Sequence, residues 1–472
     1  MTLHHVDYKK LILPILVGLI IWGCTPFKPA GVSLAAWHMF AIFVATIIGC
    51  ITQPIPIAGV AIIALTICVL FKVTTIDQAM TGFGDSTVWM IAMAYFLSRG
   101  FVKTGLGRRV ALLFVRLFGK KTLGLAYALI GVDLVTSPAT PSNTARAGGI
   151  VFPIIESVSA AYHSSPEDGT QRKVGSFLIF SAFHGNIATS GFFMTAMAPN
   201  LVAVALAKSM HIKITWMNWF MAGLVPGLIC LLVVPLLIYK LYPPEVKDTP
   251  NANAWADDEL AKMGQLTRAE KLMALIFIMA LVLWIFSSFI GLDATLVAFL
   301  AVSLLLMTGV LSVQDILHET GAWNTLVWFS ILIFMAGQLN SLGFIPWLSQ
   351  AIGTSLHGVS WGIVLAVLML VYFYAHYLFA GATAHVSAMY GAFLGVAISA
   401  GAPPLLAALL LGFDGAIFSS TTHYANGPSS IMFGPGYVAQ NDWWKMNFIL
   451  GLFYLLVWGV VGALWMKVIG LW

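Results

Sequence analysis

Charge is what this sequence has least of. Only 9% of its 472 residues are Asp, Glu, Lys or Arg, against about 25% in soluble globular domains. Eighteen acidic and 23 basic residues leave a net charge of +5. With 60% of the chain hydrophobic, a soluble form would present a large apolar exterior and aggregate. This excludes a cytosolic enzyme, a nucleic-acid binder and a disordered protein, and makes lipid the solvent for most of the chain. Cysteine is scarce as well. Cys24, Cys50, Cys68 and Cys230 lie in apolar runs without paired spacing, so they read as small core residues rather than a disulfide or metal framework. The sequence also lacks an HExxH pair and a GxxxxGK[ST] loop, so neither a zinc-protease nor a P-loop motif is present. The run 118–122 is no phosphate loop, because Phe114 stands where its first glycine belongs. No enzyme activity, cofactor or metal is expected.

What is present is a succession of apolar runs. A helical span needs roughly 20 apolar residues, and runs near 11–27, 36–52, 56–72, 86–102, 174–190, 216–242, 270–290, 293–310, 324–342, 403–420 and 446–470 meet or approach that length. The run after the polar start at Met1 to Lys10 reads as a retained first helix. Shorter or broken runs lie near 122–136, 145–162, 192–207, 358–380 and 384–400. Lys9, Lys10 and the cluster Arg99, Lys103, Arg108, Arg109, Arg116, Lys120 and Lys121 place the N-terminus and one connection on the cytoplasmic side by the positive-inside bias. From Leu272 to Trp444 there is no Lys or Arg. The expected organisation is an N-terminal half over 1–242 with a hairpin near 122–160, a hydrophilic linker over 243–271, and a C-terminal half over 272–472 with a hairpin near 358–400.

The halves resemble each other. Val88-Trp89 and Val327-Trp328, Ser142 to Arg146 and Gly381 to His385, and His184 and His423 each recur 239 residues apart. Beyond these, Gly191 and Pro199 share the eight-residue spacing of Gly427 and Pro435. Internal repeats mark secondary transporters, whose substrate sites are made by interrupted helices at the repeat interface.

The interruptions indicate what such a site binds. Pro138 and Pro141 oppose helix, so a helix is expected to start near Ser142, with free N–H groups and a positive dipole end suited to an anion. Ser142, Asn143 and Thr144 add donors, simple N-capping being the plainer reading. Gly381, Ala382 and Thr383 occupy the matching place. Two such starts facing each other suit the two ends of a dianion. Gly191, Thr195, Gly427, Ser429 and Ser430 lie in a second pair of breaks, with Pro199, Asn200 and Pro435, and read either as further pocket groups or as structural kinks. Arg146 is a membrane-embedded charge, functional by default unless paired structurally with Asp133 or Glu156. His385 is its repeat mate.

At these residues the chain resembles the divalent anion:sodium symporter family over essentially its full length. The likeness lies in Ser142-Asn143-Thr144 and its counterpart at 381–383, in Thr195 to Asn200, in Phe379 to His385, in Thr422-His423-Tyr424 and in Phe433 to Tyr437. It is nearest to the exchanger branch of 2-oxoglutarate/malate translocators and citrate/succinate or tartrate/succinate antiporters. The resemblance implies an all-α polytopic membrane protein with inverted repeats, about eleven transmembrane helices and two re-entrant hairpins. It also implies a scaffold with an elevator-type transport domain, a homodimer, and a bacterial cell membrane location. The implied substrates are dicarboxylates such as 2-oxoglutarate, malate, succinate or fumarate. Sodium-coupled members read Ser-Asn-Thr in both repeats, and this chain departs at Gly381 and Ala382. The expectation is therefore sodium-independent exchange, with Arg146 and His385 supplying positive charge where relatives use ions. A sodium- or proton-coupled symporter on the same fold is the alternative.

Overall fold

The computed structural model describes residues 7–355, 358–379 and 381–472. Met1 to Val6 of the polar start and Ala380 of the second interruption lie outside the described residues. Every regular element among those described is helical, as lipid demands of a backbone that must satisfy its own hydrogen bonds. Among the described residues, eight helices are long and apolar enough to cross a membrane, including Leu34–Thr52, Trp216–Leu241, Arg268–Ser287 and Thr320–Ser341. Leu19, Leu232, Phe289 and Leu464 are among many large apolar side chains left facing outward, which in a bilayer is their favourable environment.

The two halves run through the same order of elements. Thr122–Thr136 is followed by a 3-10 turn, Ser137–Ala139, and then by a helical run from Asn143. Trp361–Ala375, His376–Leu378 and Ala382–Ser399 repeat this order, each starting 239 residues later. Each set forms a helical hairpin. The first hairpin's second leg passes through a π turn at Ala147–Val151 before continuing as Phe152–Ala161, which absorbs one extra residue.

Beyond the hairpins the register changes. The connection 162–174 is nine residues longer than the connection 400–403. Gly175–Phe192 and Pro404–Ile417 consequently start 229 residues apart, as do Ala198–Ser209 and Gly427–Phe433. This corrects three expected pairings, Gly191 falling opposite Ser420 rather than Gly427. His184 falls opposite Phe413, not His423, and Pro199 falls opposite Pro428, not Pro435.

The hydrophilic stretch over 243–271 is more than a linker. Pro250–Met263 is a helix packed on Leu106–Phe118. The latter is amphipathic, burying Leu106, Ala111, Leu112 and Val115 while Arg108 and Arg116 reach Glu259 and Asp257. Arg109 is turned inward, where its Nε donates to Glu270 at 2.6 Å and its Nη1 to the Gly264 carbonyl at 2.9 Å. These bonds tie the first half to the start of Arg268–Ile290.

Candidate functional site

The turns of both hairpins meet at one cavity of about 210 Å3, space for roughly seven waters at about 30 Å3 each and so on the scale of a small metabolite. Four helix starts reach it. Pro141, Ser142, Asn143 and Thr144 come from the first hairpin, Met197, Ala198 and Pro199 from the break after Gly175–Phe192, and Gly381, Ala382, Thr383 and Ala384 from the second hairpin. Asn426 and Gly427 join from the matching break in the second half. Cys50, Ile51, Gln53, Ile57 and Tyr95 form the facing wall. No charged side chain is among these lining residues.

The local sequence explains each start. Ser142 is the N-cap of its helix, its Oγ accepting from the Ala145 N–H at 3.1 Å, so the plain capping role is real and coexists with a place on the cavity. Gly381 and Met197 offer no side-chain cap, which leaves first-turn N–H groups of the helices at Ala382 and Ala198 without that partner. Two buried amide donors also lack one: Asn143 Nδ2 and Asn426 Nδ2. The Asn426 carbonyl oxygen is already occupied, accepting from the Ser429 N–H at 2.8 Å and the Ser429 hydroxyl at 2.7 Å, so only its NH2 remains available. Buried polar groups are nearly always paired. Asn143 and Asn426 both line the cavity, one from each half, and each brings an unpaired amide donor buried beside it.

At Gly427 the two interrupted segments touch closely. A Cβ added there would collide with the Thr144 side chain, so glycine lets the two interrupted segments close on each other.

The expected site residues divide into two groups. Ser142, Asn143, Thr144, Gly381, Ala382, Thr383 and Gly427 line the cavity. Gly191, Thr195, Ser429 and Ser430 do not. Gly191 accepts from Trp219 Nε1 at 2.9 Å through its carbonyl, and Thr195 donates to the Pro138 carbonyl at 2.6 Å. Ser429 is occupied by Asn426, and Ser430 is exposed beside the break. Gly191, Thr195 and Ser429 support the walls from behind.

Arg146 also lies behind the wall, and its charge is paired rather than free. Its side chain is fully buried against Asp133, itself 2% exposed. Nε donates to Asp133 Oδ1 at 3.0 Å, Nη1 to the carbonyls of Thr140 at 2.5 Å and Ala196 at 2.6 Å, and Nη2 to Ser190 Oγ at 3.2 Å. Asn186 and Thr189 complete the Asp133 carboxylate. The charge is balanced locally, and the guanidinium braces the turn before Ser142 against the break at Ala196. Glu156, the other expected partner, is exposed.

His385 is likewise internal. Its Nδ1 shares a 3.0 Å hydrogen bond with His376 Nδ1, and its ring stacks on Phe379 and Phe418. His376 Nε2 bonds the Ala425 carbonyl at 3.0 Å, so the pair braces the second hairpin as Arg146–Asp133 braces the first. The register makes the correspondence explicit. Position 133 answers to Tyr372, whose ring lies 4.7 Å from His385, and position 137 to His376. His184 is held by Asn447 and Tyr454, away from the cavity.

Gln53, Tyr95 and Met197 were not singled out by the sequence. Gln53 carried one local signal, a polar residue before Pro54 at the end of an apolar run. Tyr95 sits in an apolar helix with no such mark.

Comparison with known proteins agrees with this architecture. A putative malate transporter, YflS, of Bacillus subtilis (strain 168) is 50% identical over 99% of this chain and 98% of its own. The chloroplastic dicarboxylate transporter 1 of Spinacia oleracea is 44% identical over 98% of this chain and 82% of its own. An L-tartrate/succinate antiporter of Escherichia coli O6:K15:H31 is 38% identical over 93% and 94%. Among solved structures, the Alcanivorax borkumensis YdaH transporter superposes with a TM-score of 0.55 at 14% identity, covering 84% of this chain and 88% of that one, a likeness of fold. The family model described as the sodium:sulfate symporter transmembrane region matches residues 5–472. The chain is therefore an integral membrane protein belonging to that family, the divalent anion:sodium symporters.

Proposed function

We propose that this protein exchanges dicarboxylates across a bacterial cell membrane, independently of sodium, by an elevator-type alternating-access movement within a homodimer. The observation that carries the reading is the cavity. Uncapped helix starts and the orphan amides of Asn143 and Asn426 converge from both halves on a space of small-metabolite size. A diacid of four or five carbons places one carboxylate against the Ser142-Asn143-Thr144 start and the other against Gly381-Ala382-Thr383. Malate, succinate and tartrate in the names of the relatives support that class of substrate.

Exchange follows from the unpaired donors rather than from free charge. A buried polar group left unsatisfied costs about 1–3 kcal/mol. Closing the unloaded cavity against an apolar wall sheds the water that would pair Asn143 Nδ2 and Asn426 Nδ2, whereas a bound diacid takes that water's place. The loaded carrier therefore crosses faster than the unloaded one. An antiporter among the relatives and the departure from Ser-Asn-Thr at Gly381-Ala382 favour exchange over cation coupling. In this reading the hairpins and the breaks that follow them move together, while the wall bearing Gln53 and Tyr95 stays with the scaffold.

The test is uptake of labelled malate into proteoliposomes, with and without internal dicarboxylate, in sodium and in potassium. Uptake that requires internal diacid and is equal in both salts is expected. Accumulation in unloaded vesicles driven by a sodium or proton gradient would falsify exchange and leave a coupled symporter.

A further inference from the structure

The wall facing the helix starts contains one residue that the cavity's shape does not explain. Gln53 follows Leu34–Thr52 with a left-handed backbone, φ 45° and ψ 59°. Glycine or asparagine is usual at such a helix end, because a larger side chain crowds its own backbone there. The strain is compounded by Pro54, whose ring disfavours helical backbone angles in the residue before it. Among the described residues, Gln53, Lys72, His163 and His211 are the non-glycine positions with positive φ, and of these Gln53 is the one on the cavity. Its backbone N–H is used, donating to the Gly49 carbonyl at 2.9 Å. Its side-chain amide has no hydrogen-bond partner among the described residues. Gln53 is exposed, so its amide is free to exchange water for a ligand in the cavity, on a backbone that glycine would relax.

We propose that Gln53 is a specificity-determining residue that reads the oxygen substituent at C2 of the dicarboxylate. This rests on the reading of the cavity as a diacid site. With the two carboxylates engaged by the helix starts, the middle of the carbon chain is the part presented to the opposite wall. An amide there donates to a keto oxygen and either donates to or accepts from a hydroxyl. Against the bare methylene of an unsubstituted diacid it finds no partner, and closing the cavity then buries an unpaired polar group. A site built to bond a substrate hydroxyl discriminates against the analogue that lacks it for this reason. The carrier therefore prefers 2-hydroxy and 2-keto diacids over their unsubstituted counterparts.

The experiment compares malate with succinate in counterflow exchange by the full-length protein in proteoliposomes, for the unaltered chain, Gln53→Gly and Gln53→Asn. Gln53→Gly removes the amide and relaxes the backbone, so its melting temperature stays level or rises. Gln53→Asn tolerates the backbone and withdraws the amide from the cavity by one methylene. The malate-to-succinate ratio of kcat/KM is expected to favour malate in the unaltered protein and to fall about 3- to 10-fold in both variants, the worth of one neutral hydrogen bond. A purely structural Gln53 leaves the ratio alone whatever the melting temperature does. An unchanged ratio in either folded variant overturns the assignment by itself. If the unaltered protein exchanges neither diacid, both this assignment and the diacid reading of the cavity fall.

Discussion

Replacing Arg146 by methionine separates a bracing residue from a free charge. Arg146 and Asp133 are 0% and 2% exposed, and Asp133 keeps only Asn186 and Thr189 as partners once the guanidinium is gone. Removing one member of a buried pair leaves an uncompensated charge and costs about 3–5 kcal/mol. The carbonyls of Thr140 and Ala196 lose their donor in the same step, which places the cost toward the upper end. Asp133→Asn in the Arg146→Met background removes the stranded carboxylate. Replacing both members of such a pair is often neutral or stabilising, so the double variant is expected to recover most of the loss, with a coupling of about 2–3 kcal/mol. The assay is chemical unfolding in detergent micelles for both single variants and the double, with diacid affinity measured on each. If Arg146→Met folds with unchanged stability and loses diacid binding, and Asp133→Asn does not rescue it, the bracing argument is refuted and Arg146 acts on the substrate directly.

Three further outcomes follow from the geometry. Gly427→Ala drives a methyl into Thr144 and should lower exchange at least tenfold by holding the two segments apart, with Thr144→Ala in the same chain restoring part of it, as read by counterflow. Asn143→Ala and Asn426→Ala each remove one orphan donor and should raise the KM for diacid about 5- to 30-fold, corresponding to about 1–2 kcal/mol; an unaltered KM in both would remove the anion-site argument. Asp315, in the short helix Val313–Leu317, is held well below the ordinary carboxylate range by the Lys103 ammonium and by Ser312. A carboxyl whose folded value is lowered adds stability above the unfolded value of 3.8 and loses it as pH falls through the folded value. Melting temperature should thus decline below about pH 4 in the unaltered protein, and less steeply in Asp315→Asn.

Much of the architecture was legible because lipid imposes it. Apolar runs of span length become helices, and Pro138 and Pro141 locate the turn that exposes the Ser142 helix start. The constant 239-residue interval from Val88 to His385 identified the hairpins. What the sequence concealed depends on contacts between distant segments. Asp133 lies thirteen residues before Arg146, across a turn, and nothing in the order of residues favours it over Glu156 ten residues after; only the folded hairpin points one inward and the other out. The apparent partnership of His184 with His423 arose because a connection nine residues shorter shifted the second half against the first. The amphipathic pattern of Leu106–Phe118 was hidden by reading its arginines as an orientation signal, and Pro250–Met263 by its polarity, although the two helices are made to face each other by those charges. Gln53 and Tyr95 belong to apolar helices or their ends, and their meeting with residues 142–144 is a matter of tertiary packing.

The absence of ionised side chains from the cavity wall has a kinetic consequence. Hydrogen bonds from neutral amides, hydroxyls and backbone N–H groups to a carboxylate are individually weaker than the paired bonds of a guanidinium fork. A receptor built for retention would use the fork. A shuttle has to let go at both destinations, and shallow occupancy shortens the dwell that would otherwise limit turnover.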